Sequence, residues 1–215
     1  MVRGSQTRIR ATAIHEAGHA LAALKEGRQL LEVNVSSSCP GSGQTVWRRA
    51  SDQSAFRLDD PVIDIMLRWR RMLQVRLSDI RITLAGPLAE AKALNQPLRS
   101  LGARSDLSIC HSVIHSMTVR NRKLQELAGA LSDARVELPT VNMTDLVNEQ
   151  RRRVRRWLGR PTIWQAIISI ADRLVEEGSL RPGEVLQAYL RAHSKQQAAL
   201  PLDWPDSSLQ PDVEN

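Results

Sequence analysis

The segment His15-Glu16-Ala17-Gly18-His19 restricts the fold of this chain more than any other feature. Two histidines four apart on a helix project from one side, one turn apart, and can grip a single zinc ion. The glutamate after the first histidine then stands beside the metal's open position, where a water sits, which is the working arrangement of a zinc peptidase. Such a helix has to lie buried beneath a cleft. Its neighbours suit that place: Ala13, Ile14, Ala17, Ala20, Leu21 and Leu24 are small or apolar, and Gln6 to Glu26 reads as one helix stopped by Gly27. A mid-helix glycine costs about 1 kcal/mol relative to alanine, so Gly18 implies close packing. The competing reading is a core helix whose histidines only hydrogen-bond to neighbours.

With 215 residues, 42% of them hydrophobic and 25% charged, the chain can bury the core of one ordinary globular domain. No apolar run approaches the ~20 residues that span a bilayer. The opening Met1-Val-Arg-Gly-Ser-Gln-Thr-Arg8 lacks the apolar stretch of a secretory signal. Cys39 and Cys110 are too few for a disulfide framework, so a cytoplasmic location is expected. The net charge of +7 rests on arginine, clustered at Arg68–Arg71 and Arg151–Arg156. These runs read as solvated helix faces, with nucleic acid, an acidic surface or anionic lipid headgroups as the alternative partner. Aromatic residues, 3% of the chain, do not interleave with them, which argues against stacking on single strands.

Leu30–Ser36 and Gln44–Arg48 alternate around the turn cluster Cys39–Gly43 and predict a hairpin. It is either a purely structural hairpin or the edge that holds an extended substrate beside the metal helix. Residues 49–58 read as a loop, and Asp60-Pro61 as the start of a helix running to about Arg76. A further helix is expected from about Ser78 through Ala91, kinked or divided by Pro87. Another opens at Ser105-Asp106 and passes Arg120. The part from 132 to 160 is the least defined and partly loop, and within 132–144 Pro139 and Asn142 interrupt any period, pointing to a loop or partial linker. From Ile163 the apolar positions Ala166, Ile167, Ile170, Ala171, Leu174 and Val175 describe a helix laid on a core and closed by Gly178. A last helix runs from Arg181-Pro182 to about His193, and residues 196–215 read as a mobile tail. The fold class is therefore mainly α with a small β-hairpin or sheet, one domain over residues 1–195.

A catalytic zinc usually has three protein ligands. The longer histidine motif of some zincins is excluded, because Ala22 and Lys25 stand where its glycine and third histidine belong. Asp106, at a helix start where its charge is favoured, is the strongest candidate further along; a simple helix cap is the alternative. His111 and His115 are also four apart, but Ser112 between them supplies no base. They read as structural histidines, with cleft lining or a second metal site as the other options, and His193 reads as a surface residue.

Three ordered segments, His15-Glu-Ala-Gly-His-Ala20, Leu84-Ala-Gly-Pro-Leu-Ala-Glu90 and Gly102-Ala-Arg-Ser-Asp-Leu107, resemble the signatures of the peptidase domain of FtsH-type ATP-dependent zinc metalloproteases. The closing pattern Ile170 to Glu184 is similar as well. The resemblance implies a zincin-like helical domain in which His15, His19 and Asp106 bind Zn2+ and Glu16 is the catalytic base. Glu90 would then be an acceptor that orients a ligand histidine. Two departures stand out: Glu90 is followed by Ala91 rather than a second glutamate, and Pro87 occupies a position where arginine is common. Neither the family's phosphate-binding loop nor its membrane anchor occurs here. The implied function is a zinc metalloendopeptidase for protein or peptide substrates that are unfolded, flexible or delivered by a partner ATPase, and the family's assembly suggests a homo-oligomer. The alternative is a catalytically silent adaptor that keeps this fold, with nucleic acid bound through Arg151–Arg156 as one option for its partner.

Overall fold

Ala11, Ala13, Ile14, Ala17, Ala20, Leu21, Ala22 and Ala23 are all buried, so over residues 11–23 apolar side chains occupy nearly the whole circumference of α1 (Val2–Lys25). A helix apolar on every side belongs in the middle of a domain. The computed structural model describes residues 2–48, 61–98, 104–130 and 142–194. In it, α1 packs against α2 (Pro61–Leu94), α5 (Pro161–Glu177), α6 (Pro182–Ser194) and a hairpin of β1 (Gln29–Val35) and β2 (Gly43–Arg48). On its other sides α2 holds α3 (Arg104–Ala130) and α4 (Met143–Leu158). The architecture is mainly helical with one three-stranded antiparallel sheet, ordered β2-β1-β3, where β3 is Ser179–Leu180.

α1 ends as its sequence implies. Gly27 takes φ +66, and the N–H groups of Gly27 and Arg28 donate to the carbonyls of Leu24 and Ala23, a left-handed cap that glycine adopts without steric penalty. The hairpin also lies where expected, though its alternation is interrupted. Leu30 pairs with Trp47 but Glu32 with Val46, leaving Leu31 as a bulged extra residue. That bulge lets Leu30, Val33 and Val35 all face the core despite their uneven spacing, while Leu31 stays exposed. β3 pairs with β1 through Val33 and Asn34. It follows Gly178, whose φ of +76 closes α5 and turns the chain back onto the sheet.

Three expectations need correction. The predicted division near residue 77 is absent: α2 is one helix of 34 residues, and Pro87 lies within it without ending it. Nothing between Arg76 and Ser78 breaks a helix, and Ser78 is buried inside it rather than capping a new one. Residues 143–158 of the undefined region form α4, where Asn142 accepts hydrogen bonds from the N–H groups of Thr144 and Asp145 and so begins a helix instead of interrupting one. Val175 is exposed, at the margin of the apolar stripe in the last turn of α5, whereas Ala166, Ile167, Ile170, Ala171 and Leu174 are buried. Residues 49–58, Asp60, the region 131–141, the tail 196–215 and the side chain of His193 lie outside the described residues.

The arginine run of α4 faces mostly outward. Val154, Trp157 and Leu158 fill the buried side, while Arg152 and Arg153 each donate to Glu149 at 3.0 Å. A partly buried network joins α2, α4 and the turn after α1: Arg81 donates to both oxygens of Glu26 (2.8 and 2.6 Å), the fork geometry that suits a carboxylate, and to Gln150 (3.0 Å).

Gly18 sets the distance between α1 and α2. A Cβ there would lie 2.8 Å from the Ala85 carbonyl oxygen and 3.0 Å from the Ala89 Cβ. Helix propensity favours Gly18→Ala by about 1 kcal/mol, whereas forcing an atom against a main-chain oxygen costs about 1–3 kcal/mol. Packing is expected to win, so urea unfolding should find the variant less stable; a gain in stability would refute the close approach.

Candidate metal centre

Residues from three helices meet at one point. His15 and His19 come from consecutive turns of α1, and each ring is turned by a bond at Nδ1 to α2: His15 to Glu90 Oε2 at 2.9 Å, and His19 to the main-chain carbonyl of Ile82 at 2.8 Å. A carbonyl or carboxylate only accepts, so both Nδ1 atoms carry a proton, and in the neutral rings both Nε2 atoms present lone pairs. The two Nε2 atoms lie 3.0 Å apart. Asp106, in the first turn of α3, brings Oδ2 to 3.1 Å from Nε2 of His15 and Oδ1 to 3.5 Å from Nε2 of His19.

Three acceptors so close together repel one another unless a cation lies among them. Four-coordinate zinc, with ligand distances of ~2.0–2.2 Å in a tetrahedron, spaces its donors ~3.3 Å apart, and the three separations bracket that value. Among the described residues, His15, His19 and Asp106 are the group of histidine, cysteine and acidic side chains that could hold a metal ion. Two imidazoles and a carboxylate are an ordinary zinc donor set. The residues fit the ion.

Without metal, a proton takes the cation's part. Burial disfavours a charged His15, but hydrogen bonds with Asp106 and Glu90 and the nearby charge of Glu16 outweigh it, raising its pKa to about 9. Burial likewise opposes ionisation of Asp106, yet its contacts with His15 and His19 hold the carboxyl well below the usual carboxylate range.

Glu16 is buried and faces β2. Thr45 donates its hydroxyl to Glu16 Oε2 at 2.7 Å, and a Cβ on Gly43 would come within 2.8 Å of Glu16 Cγ. Inward-facing Gly43, Thr45 and Trp47 on β2 therefore lie along α1 beside the motif, with Trp47 over the His19 ring at 6.0 Å between centroids and 30° between planes. From α2, Gly86 leaves room for the imidazole: a Cβ there would collide with His19 Nε2. The turn holding Gly86 and the Ile82 carbonyl is also the one in which Pro87 offers no N–H to the carbonyl four residues back.

His15, Glu16, His19, Glu90 and Asp106 thus gather as the sequence suggests, and Asp106 points into the cluster rather than serving only its own helix. His111 and His115 do not join it. Both are exposed on α3, so neither is the packed structural histidine expected, because helical periodicity turns Asp106, Cys110, Val113 and Met117 inward instead. Cys110 is buried and its thiol is pushed up to about 12, chiefly by desolvation; Cys39 is exposed. Sequence reasoning missed Thr45, Gly43, Trp47 and Gly86, which belong to the site only through tertiary packing. The chain matches no protein-family model and no curated protein.

Two outcomes follow. Gly86→Ala must displace the His19 ring, and zinc affinity measured by competition with a chelating dye should fall about 10–100-fold, as when a metal ligand's support is disturbed. The pKa of His15 is raised on folding, so its contribution to stability is complete below about pH 6.5 and is lost as pH rises through about 9. Urea titrations of metal-free protein should show that decline between pH 6.5 and 9.5. Zinc should flatten it, since the metal replaces the proton.

Proposed function

We propose that this chain is a zinc-dependent metalloendopeptidase of the zincin-like kind its three motifs resemble, the FtsH-type peptidase domain. One observation carries the reading: two Nε2 atoms and the Asp106 carboxylate converge within 3.0–3.5 Å, next to a buried glutamate held by a hydrogen bond from Thr45. His15, His19 and Asp106 would hold zinc. Zinc bound there would supply a water of lowered pKa and a Lewis acid for the scissile carbonyl.

The protein's own groups do the rest. Glu16 accepts a proton from the attacking water as the water's oxygen bonds to the carbonyl carbon. It then gives that proton to the departing amide nitrogen as the carbon–nitrogen bond breaks, leaving a carboxylic acid, which keeps the water's other proton, and an amine. Glu90 and the Ile82 carbonyl keep both Nε2 atoms directed at the site. Outermost in the sheet order, β2 has an edge without a strand partner among the described residues. That edge suits an extended polypeptide, paired through its main chain irrespective of side chains. Segments that are already unfolded or flexible are the natural substrates. No described helix is long and apolar enough to cross a membrane.

Zinc analysis alongside turnover of an unfolded protein such as casein tests the assignment. Glu16→Gln should keep one zinc per chain and lose at least about a thousandfold in turnover, consistent with removal of a general base. Asp106→Ala should lose the metal itself. Wild-type turnover that survives chelation, or persists in Glu16→Gln, would refute the proposal.

A further inference from the structure

Glu16 carries two carboxylate oxygens in unlike surroundings. Oε2 accepts the hydroxyl of Thr45 at 2.7 Å, and the same hydroxyl lies 3.1 Å from the main-chain oxygen of Glu16. A hydroxyl has one proton, and the shorter contact to the charged oxygen is the stronger bond. This is the one hydrogen bond to the Glu16 carboxylate among the described residues. Oε1 lies instead against Gly43, where a Cβ would approach to 3.0 Å. Position 43 leaves space, and position 45, two residues on and on the same face of β2, supplies a donor.

We infer that Thr45 is a positioning residue for the proposed reaction: it ties down Oε2, fixes the plane of the Glu16 carboxylate, and leaves Oε1 as the oxygen that takes the proton. This rests on Glu16 being the base. A glutamate side chain has several rotatable bonds, and a general base has to lie within about 3 Å of the proton it removes. A bond from the strand removes that freedom before substrate arrives. It also links the two halves of the site, because the strand that would receive an extended substrate is the one that orients the base. A chain pairing with β2 would therefore find Glu16 already set in register with it.

Thr45→Val keeps the shape and removes the hydroxyl, whereas Thr45→Ser keeps the hydroxyl. In zinc-loaded protein, Thr45→Val should lower kcat about tenfold to a hundredfold, the loss expected when a reacting group is slightly misplaced, with KM and zinc content unchanged. Thr45→Ser should restore most of kcat. In metal-free protein, the 13C resonance of the Glu16 carboxyl, identified by its loss in Glu16→Gln, should move in Thr45→Val and return in Thr45→Ser. A Thr45→Val enzyme with unchanged kcat, or a serine variant as slow as the valine one, overturns the inference. If zinc-loaded wild-type protein hydrolyses nothing, the peptidase reading fails, and an unmoved resonance in Thr45→Val refutes the Thr45 contact separately.

Discussion

Three lone-pair donors within 3.5 Å of one another are stable only around positive charge, and the rest of the molecule can be understood as the apparatus that forces them together. Each imidazole alone could turn away. Neither does, because Glu90 and the Ile82 carbonyl hold the Nδ1 protons, and those partners sit on a helix that Gly18 allows to approach α1 closely. Asp106 arrives from a third helix, at an N-terminus where negative charge is favoured. Convergence therefore depends on α1–α2 and α2–α3 packing more than on any local propensity.

The sheet has the opposite task. Its inner face carries Leu30, Val33 and Val35 into the core, and its outer strand lays Gly43, Thr45 and Trp47 along the motif. A strand repeats on one face every two residues and a helix roughly every turn, so positions 43, 45 and 47 meet Thr12, Glu16 and His19 in sequence. The β1 bulge at Leu31 and the short β3 strand after Gly178 fix the hairpin's orientation, and the C-terminal helices α5 and α6 pack directly against α1.

How much of this was legible in the residues depends on the range over which each feature is determined. His15, Glu16 and His19 are set by one helix and could be read directly. The hairpin, the glycine stop at Gly27 and the stripe of α5 were equally local. Asp106 and Glu90 needed the order of three motifs, since no spacing rule links a helix start at 104 to a motif centred on residue 17. The continuity of α2 was hidden because Ser78 looks like a cap in isolation, and packing on several sides decided otherwise. A two-residue strand such as β3 has no period to detect. Thr45 and Gly86 are ordinary residues in ordinary elements; only the contact of β2 with Glu16 and of α2 with His19 gives them a role.

The central claim is that His15, His19 and Asp106 share one cation. The most direct measurement is anomalous diffraction at the zinc edge from crystals of zinc-loaded protein. The account predicts a single strong peak per chain, bound by Nε2 of both histidines and a carboxylate oxygen of Asp106, with Glu90 still on His15 Nδ1. A peak at His111 and His115 or at a cysteine, or no peak between the two α1 histidines at saturating zinc, would contradict it.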